Sequence, residues 1–159
     1  MEKSGLYIHI PFCKSKCPYC DFYSVKYNEE EAEKYADKLI ETMGNFSGSF
    51  DTVYFGGGTP SILESRLIGK ILKNAKEHFD IDKNAEITIE CNPSKNLEKD
   101  FCDYASFGIN RVSLGMQSAR NEERFALGRS AGQSEVAKAV NDAKAAGITN
   151  ISLDVMLGT

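Results

Sequence analysis

Three cysteines crowd into eight residues, in Cys13-Lys14-Ser15-Lys16-Cys17-Pro18-Tyr19-Cys20. The spacing C-x3-C-x2-C lets one short loop wrap three thiolates around a single compact inorganic centre. Zinc usually draws four ligands from two pairs, and the remaining cysteines, Cys91 and Cys102, stand singly. An iron–sulfur cube takes one cysteine per iron. Three would leave one iron open to a ligand, as a catalytic metal keeps an open position. A redox pair is the competing reading, because Cys17-Pro18-Tyr19-Cys20 is also C-x-x-C beside a βαβ pattern. Phe12, Tyr19, Phe22 and Tyr23 form an aromatic collar expected to limit solvent access to the loop. Further on, Gly56-Gly57-Gly58-Thr59-Pro60 offers backbone that a ligand can approach without a Cβ in the way. A helix N-terminus is expected just beyond it. The same run could equally be a tight strand-to-helix turn.

The elements that must position these residues alternate. Leu6–Ile10 reads as a strand, with Leu6, Ile8 and Ile10 on one face and Tyr7 and His9 on the other. Asn28 caps a helix from Glu29 to Met43, with Glu31 at the capping-box position. Thr52–Phe55 is the next strand. A capping box from Ser61 to Glu64 opens a helix carrying Leu63, Leu67, Ile68, Ile71, Leu72 and Ala75. Glu86–Glu90 is a third strand, followed by a short helix near Leu97–Ala105, and Arg111–Leu114 is a fourth. Ser134 caps a last helix, stopped by Gly147, and Asn150–Val155 is the fifth strand. Strand and helix in alternation with short connections imply an α/β fold with a parallel sheet of right-handed βαβ units. The sheet is either open and doubly wound or part of a barrel, since a closed eightfold barrel needs about 250 residues. The stop at Leu157-Gly158-Thr159, just after a strand, suggests a fragment of something longer.

With 159 residues the chain is one ordinary domain. Hydrophobic residues at 42% and charged ones at 26% exclude wholesale disorder. A net charge of −4 offers no bulk attraction to nucleic acid or to an anionic membrane surface. No apolar run approaches the ~20 residues of a membrane span. An odd cysteine count without a secretion signal argues for free thiols in a reducing compartment, so a cytoplasmic location is expected. His78 falls near a helix C-terminus, Cys91 and Cys102 are expected to be buried thiols, and His9 is either a satisfied core histidine or a group facing the cysteine loop.

Tyr7-Ile8-His9-Ile10-Pro11-Phe12-Cys13, running into the three-cysteine loop, resembles the radical S-adenosylmethionine superfamily. The likeness is greatest to the branch of HemW-type heme chaperones and oxygen-independent coproporphyrinogen III oxidases. It covers Tyr7 through Asp154. The resemblance implies a partial TIM-type (β/α) barrel, with five of the superfamily's six strands present. Residues 1–159 would then be a truncated core domain, lacking the sixth strand and a C-terminal domain. It also implies that Cys13, Cys17 and Cys20 hold a [4Fe–4S] cluster whose fourth iron is chelated by the methionine end of S-adenosylmethionine. A reduced cluster then cleaves that cofactor to a 5′-deoxyadenosyl radical. Gly57, Gly58 and Thr59 match the family's glycine segment at the methionine end. Glu90, Gln117 and Asp154, at C-terminal strand ends, match its positions for ribose hydroxyls or the methionine ammonium. Arg129 suits the methionine carboxylate, and Tyr7 and Tyr19 match aromatic positions near the cofactor. Taken singly, Glu90, Gln117, Asp154 and Arg129 are each also an ordinary cap or rim charge.

Two departures separate the chain from the oxidases of that branch. They carry a fourth cysteine two residues beyond the third, where Phe22 stands here, and a long N-terminal arm, where six residues precede Tyr7. Both departures resemble the heme chaperones. The implied partners are heme or a porphyrin, acceptor hemoproteins and an electron donor. The alternatives are an oxidase acting on coproporphyrinogen, or a non-catalytic metal or redox module.

Overall fold

The computed structural model describes residues 4–93 and 96–157. Gly158 and Thr159, on which the terminal-stop expectation rested, lie outside the described residues.

Alternating apolar residues build a five-stranded parallel sheet in the order β1-β4-β5-β6-β7. Its strands are β1 (Gly5–Ile10), β4 (Ser49–Gly57), β5 (Asp80–Cys91), β6 (Arg111–Gln117) and β7 (Asn150–Val155). Between β1 and β4, the two-residue strands β2 (Phe12–Cys13) and β3 (Val25–Lys26) pair with each other. The helices are α1 (Glu29–Met43), α2 (Ser65–His78), α3 (Glu98–Phe107), α4 (Asn121–Ala126) and α5 (Gln133–Ala145). α1, α2, α3 and α5 pack side by side in chain order. One face of the strands (Ile8, Ile10, Val53, Phe55, Ile87, Ile89, Val112, Leu114) joins these helices in one hydrophobic core. Strand period two therefore sends Tyr7, Tyr54, Thr88, Glu90, Arg111, Ser113, Ser152 and Asp154 to the opposite face. That face is polar, which a parallel sheet covered by helices on both sides would not tolerate.

Local chemistry sets the helix ends. Asn28 accepts a hydrogen bond from Glu31 N at 3.0 Å, and α1 starts at Glu29 as the sequence implies. The expected Ser61 cap does not form. Pro60 presets a 3-10 turn over Pro60–Ile62, and α2 begins a turn later with Glu64 at its N-cap. Ser61 is buried and accepts instead from Asn92 N at 3.0 Å, tying this turn to the end of β5. Ser134 is not a cap either. The Glu135 carboxylate reaches back to Gly132 N at 2.8 Å, which moves the start of α5 to Gln133 and leaves Ser134 inside the helix. Gly147, at φ 93°, follows the end of α5 as expected.

Candidate functional site

The cysteine loop is clamped at both ends. Val25 N donates to Pro11 O at 2.7 Å and Tyr27 N to Cys13 O at 2.8 Å, closing the segment between β2 and β3. Phe12 is buried at its root, edge-on to Tyr27 and to Tyr35 at ring separations of 6.2 and 5.6 Å. The Tyr35 hydroxyl also donates to His9 O at 2.7 Å. Helix α1 thus holds the strand from which the loop springs. Inside the loop, Cys20 N donates to Cys17 O at 3.1 Å, closing one turn with a cysteine at each end.

The glycine run closes against the same root. Gly56 and Gly57 belong to β4 rather than to the turn after it, because their pairing with His9 and Ile10 of β1 continues to the end of the strand. Gly57 has φ +119°, and a Cβ there would sit 2.7 Å from the His9 ring. A Cβ on Gly58 would sit 2.7 Å from Phe12 O. Both positions therefore demand glycine. Gly58 N donates to Ile10 O and Thr59 N to Phe12 O, each at 2.8 Å, and Thr59 Oγ1 lies 3.5 Å from Cys13 Sγ.

These segments line one cavity of about 820 Å³ at the C-terminal ends of the strands. All twelve residues expected as cluster ligands or cofactor contacts line it: Cys13, Cys17 and Cys20, then Tyr7, Tyr19, Gly57, Gly58, Thr59, Glu90, Gln117, Arg129 and Asp154. The cysteines are free and partly buried, and Lys14 and Lys16 stand exposed beside them. The donor set suits an iron–sulfur centre: three free thiols on one loop, packed at its root against a glycine run where a Cβ at Gly58 would meet the Pro11–Phe12 backbone. Among the described residues, no group of three or more His, Cys, Asp or Glu side chains could hold a single metal ion as placed. Arg129 Nε donates to the Tyr19 hydroxyl at 2.9 Å, joining the cysteine loop to the segment after α4.

The collar is only half built. Phe12 belongs to the core, Phe22 lines the cavity but is 72% exposed, and Tyr23 is 70% exposed. The loop from Asp21 to Ser24 leans outward, so these rings do not seal the thiols from solvent. Cys91 is buried as expected, whereas Cys102 is exposed, on the outer side of α3. His78 Nε2 meets Phe46 O at 2.8 Å near the end of α2. His9 is not a satisfied core histidine. Its Nδ1 meets the Tyr7 hydroxyl at 3.2 Å, while its buried Nε2 has no partner among the described residues.

Glu90 is the electrostatic focus of the site. Burial pushes its carboxyl above the usual range, with Asp154 adding to the rise, while hydrogen bonds from Tyr54 (2.8 Å) and Gly57 and the His9 ring oppose it. A carboxyl raised in the folded state adds stability below its unfolded value of about 4.3, and that contribution is lost as pH climbs through the folded value. Glu90→Gln keeps an oxygen for Tyr54 and removes the buried charge. In thermal melts of the protein, the variant should unfold at a higher temperature at pH 7, and the two curves should converge below about pH 4.

Gln117 was expected as a site residue, yet no sequence signal foretold its backbone. It is the one non-glycine at positive φ among the described residues (67°). Ser118 N donates to Met116 O at 2.9 Å across it, a three-residue turn that shifts the register between β6 and β7. The turn aims a buried amide into the cavity. Strain of this kind costs about 1–3 kcal/mol and gathers at functional positions. Gln117→Gly should therefore melt close to the parent, whereas Gln117→Val should cost about 2 kcal/mol or more in denaturant titrations.

Residues 7–159 match the Radical SAM superfamily. The chain is 38% identical to the heme chaperone HemW of Haemophilus influenzae, over 97% of this chain and 43% of that protein. It is 36% identical to HemW of Escherichia coli, over 97% of this chain and 42% of that protein. The chain thus spans less than half the length of these relatives. Among solved structures, coproporphyrinogen III oxidase (HemN) from Escherichia coli, described as a radical SAM enzyme, superposes with a TM-score of 0.86 at 26% identity. That match covers 97% of this chain and 37% of the oxidase. The parallel five-stranded sheet is accordingly the superfamily's partial barrel, and neither a doubly wound sheet nor a closed one.

Proposed function

The chain belongs to the Radical SAM superfamily, and from that premise we propose that it is the cofactor-binding core of a HemW-like heme chaperone. In this reading it holds a [4Fe–4S] cluster and S-adenosylmethionine, and the whole protein binds heme and passes it to hemoproteins. Residues 1–159 then correspond to the core domain.

The observation that supports the reading is the meeting of three free thiols, a glycine cradle, three polar strand-end residues and Arg129 around one cavity. Cys13, Cys17 and Cys20 would each hold one iron. When bound, the cluster supplies one-electron chemistry to the sulfonium of S-adenosylmethionine. The chain's own residues orient that cofactor. Backbone groups of Gly57, Gly58 and Thr59 face its methionine end, and Arg129, braced by Tyr19, offers a charge-assisted donor to the carboxylate. Glu90, Gln117 and Asp154 accept from ribose hydroxyls or the ammonium group, and Tyr7 flanks the same wall. The exposed Lys14, Lys16, Phe22 and Tyr23 leave the loop open to an electron donor.

Phe22, at the place of a fourth cysteine, favours the chaperone over an oxidase. The superposition on the oxidase structure supports a second reading, decarboxylation of coproporphyrinogen III. The test uses the full-length protein with its cluster rebuilt under anaerobic conditions. Stoichiometric heme uptake, followed by transfer to an apo-hemoprotein in absorbance spectra, is the expected result. Turnover of coproporphyrinogen III with no heme bound would reverse the assignment.

A further inference from the structure

The polar face of the sheet carries a chain of hydrogen bonds that runs from a cation to an anion. Arg111 Nη2 lies 3.0 Å from Ser152 Oγ, Ser152 Oγ 2.9 Å from Ser113 Oγ, and Ser113 Oγ 2.7 Å from Asp154 Oδ1. Arg111 can only donate and an ionised Asp154 can only accept, and each serine has one hydroxyl hydrogen. The direction is therefore fixed throughout: Arg111 donates to Ser152, Ser152 to Ser113, and Ser113 to Asp154. A side branch obeys the same rule, from Arg111 Nη1 to Thr88 Oγ1 at 3.2 Å and from Thr88 to Glu86 at 3.4 Å. Glu86 also stands 3.6 Å from the Arg111 guanidinium, which keeps the cation in place at the head of the chain.

Register explains how the sequence builds this. Ser113 and Ser152 are directly paired across β6 and β7, while Gly115 is the partner of Asp154. Each link therefore joins neighbouring strands on one face. Ser113 is buried (3% exposed), and Asp154 is exposed at the cavity wall. One carboxylate oxygen is thus engaged from within the sheet, and the cavity side of the group is left for a ligand. Hydrogen bonds in such a directed chain reinforce one another.

We propose that Ser113 and Ser152 are positioning residues: they relay the Arg111 charge to Asp154 and hold its carboxylate in the orientation that accepts from the cofactor's ribose. The inference rests on the reading of Asp154 as a cofactor contact. The experiment titrates S-adenosylmethionine into the full-length, cluster-loaded protein under anaerobic conditions and measures Kd calorimetrically. Asp154→Asn should weaken binding at least about tenfold, the size of a lost charge-assisted hydrogen bond. Ser113→Ala should weaken it about fivefold, and Ser113→Thr, which keeps the hydroxyl, should restore most of the loss. In the Asp154→Asn background, Ser113→Ala should change Kd by less than about twofold, because the relayed group is already gone. Ser152→Ala, at a less buried position, breaks the relay one link earlier and should weaken binding about threefold, with unchanged iron content as the check on folding.

Independent losses from Ser113→Ala and Asp154→Asn, or no loss from either serine variant while Asp154→Asn weakens binding, would overturn the relay and leave the cofactor reading standing. An Asp154→Asn protein that binds as tightly as the parent would instead remove Asp154 from the cofactor site, and the relay with it.

Discussion

Cys17→Ser should purify without a cluster: iron and sulfide per chain should fall to background, and the cluster absorbance should be absent. The effect is close to complete because an iron–sulfur cube held by three protein thiolates has no spare ligand, and a serine hydroxyl is a poor thiolate substitute. Cys13→Ser and Cys20→Ser should behave alike, since all three thiols line the one cavity and sit on the one clamped loop. Cys102→Ser provides the contrast. That thiol is exposed on α3, outside the cavity, and its loss should leave iron content untouched. Metal analysis and absorbance after anaerobic reconstitution measure all four. An intact cluster in the Cys17 variant would refute the ligand assignment.

Gly58→Val should remove cluster and cofactor binding together, although residue 58 is not expected to touch iron. Its Cβ would lie 2.7 Å from Phe12 O and 3.0 Å from Pro11 C, both backbone atoms that have nowhere to go. Relief requires breaking the 2.8 Å bonds from Gly58 N to Ile10 O and from Thr59 N to Phe12 O, which join the glycine run to the root of the cysteine loop. Cys13 and Thr59 would then separate, and the root of the cysteine loop would be displaced. The expected loss of S-adenosylmethionine affinity exceeds about a hundredfold, beyond what any single hydrogen bond supplies. Gly48→Ala is the control, because its Cβ would meet only the Phe50 ring, a side chain far from the cavity. Calorimetry and iron analysis on both variants decide it, and normal binding by Gly58→Val would contradict the coupling of the two loops.

Much of this was legible in the residues, for reasons that differ by element. α1 could be placed to the residue because Asn28 is a strong cap with no local competitor. Ser61 and Ser134 misled because a serine near a helix start is only one of several ways to satisfy the first amide groups. At Ser61 the proline won, and at Ser134 the carboxylate of Glu135 did. α4 and the β2–β3 pair are too short to show a period, so the sequence carries no signal for them. Strand ends extended beyond the apolar runs, since β5 starts at Asp80 and β6 continues to Gln117. The candidate site residues are marked by their motifs, and their convergence on one cavity follows from parallel strands that all end at one rim. Three things needed coordinates. The positive φ at Gln117 has no compositional signature, the outward lean of Phe22 and Tyr23 is a property of the loop, and the path from Arg111 to Asp154 depends on strand register.

The most direct measurement is the electron paramagnetic resonance spectrum of the anaerobically reconstituted, dithionite-reduced protein, recorded with and without S-adenosylmethionine and paired with a metal count. About four irons and four sulfides per chain, with a spectrum that shifts when the cofactor is added, are the expected findings. One zinc per chain, a Cys17–Cys20 disulfide, or a cluster signal indifferent to S-adenosylmethionine would contradict the account.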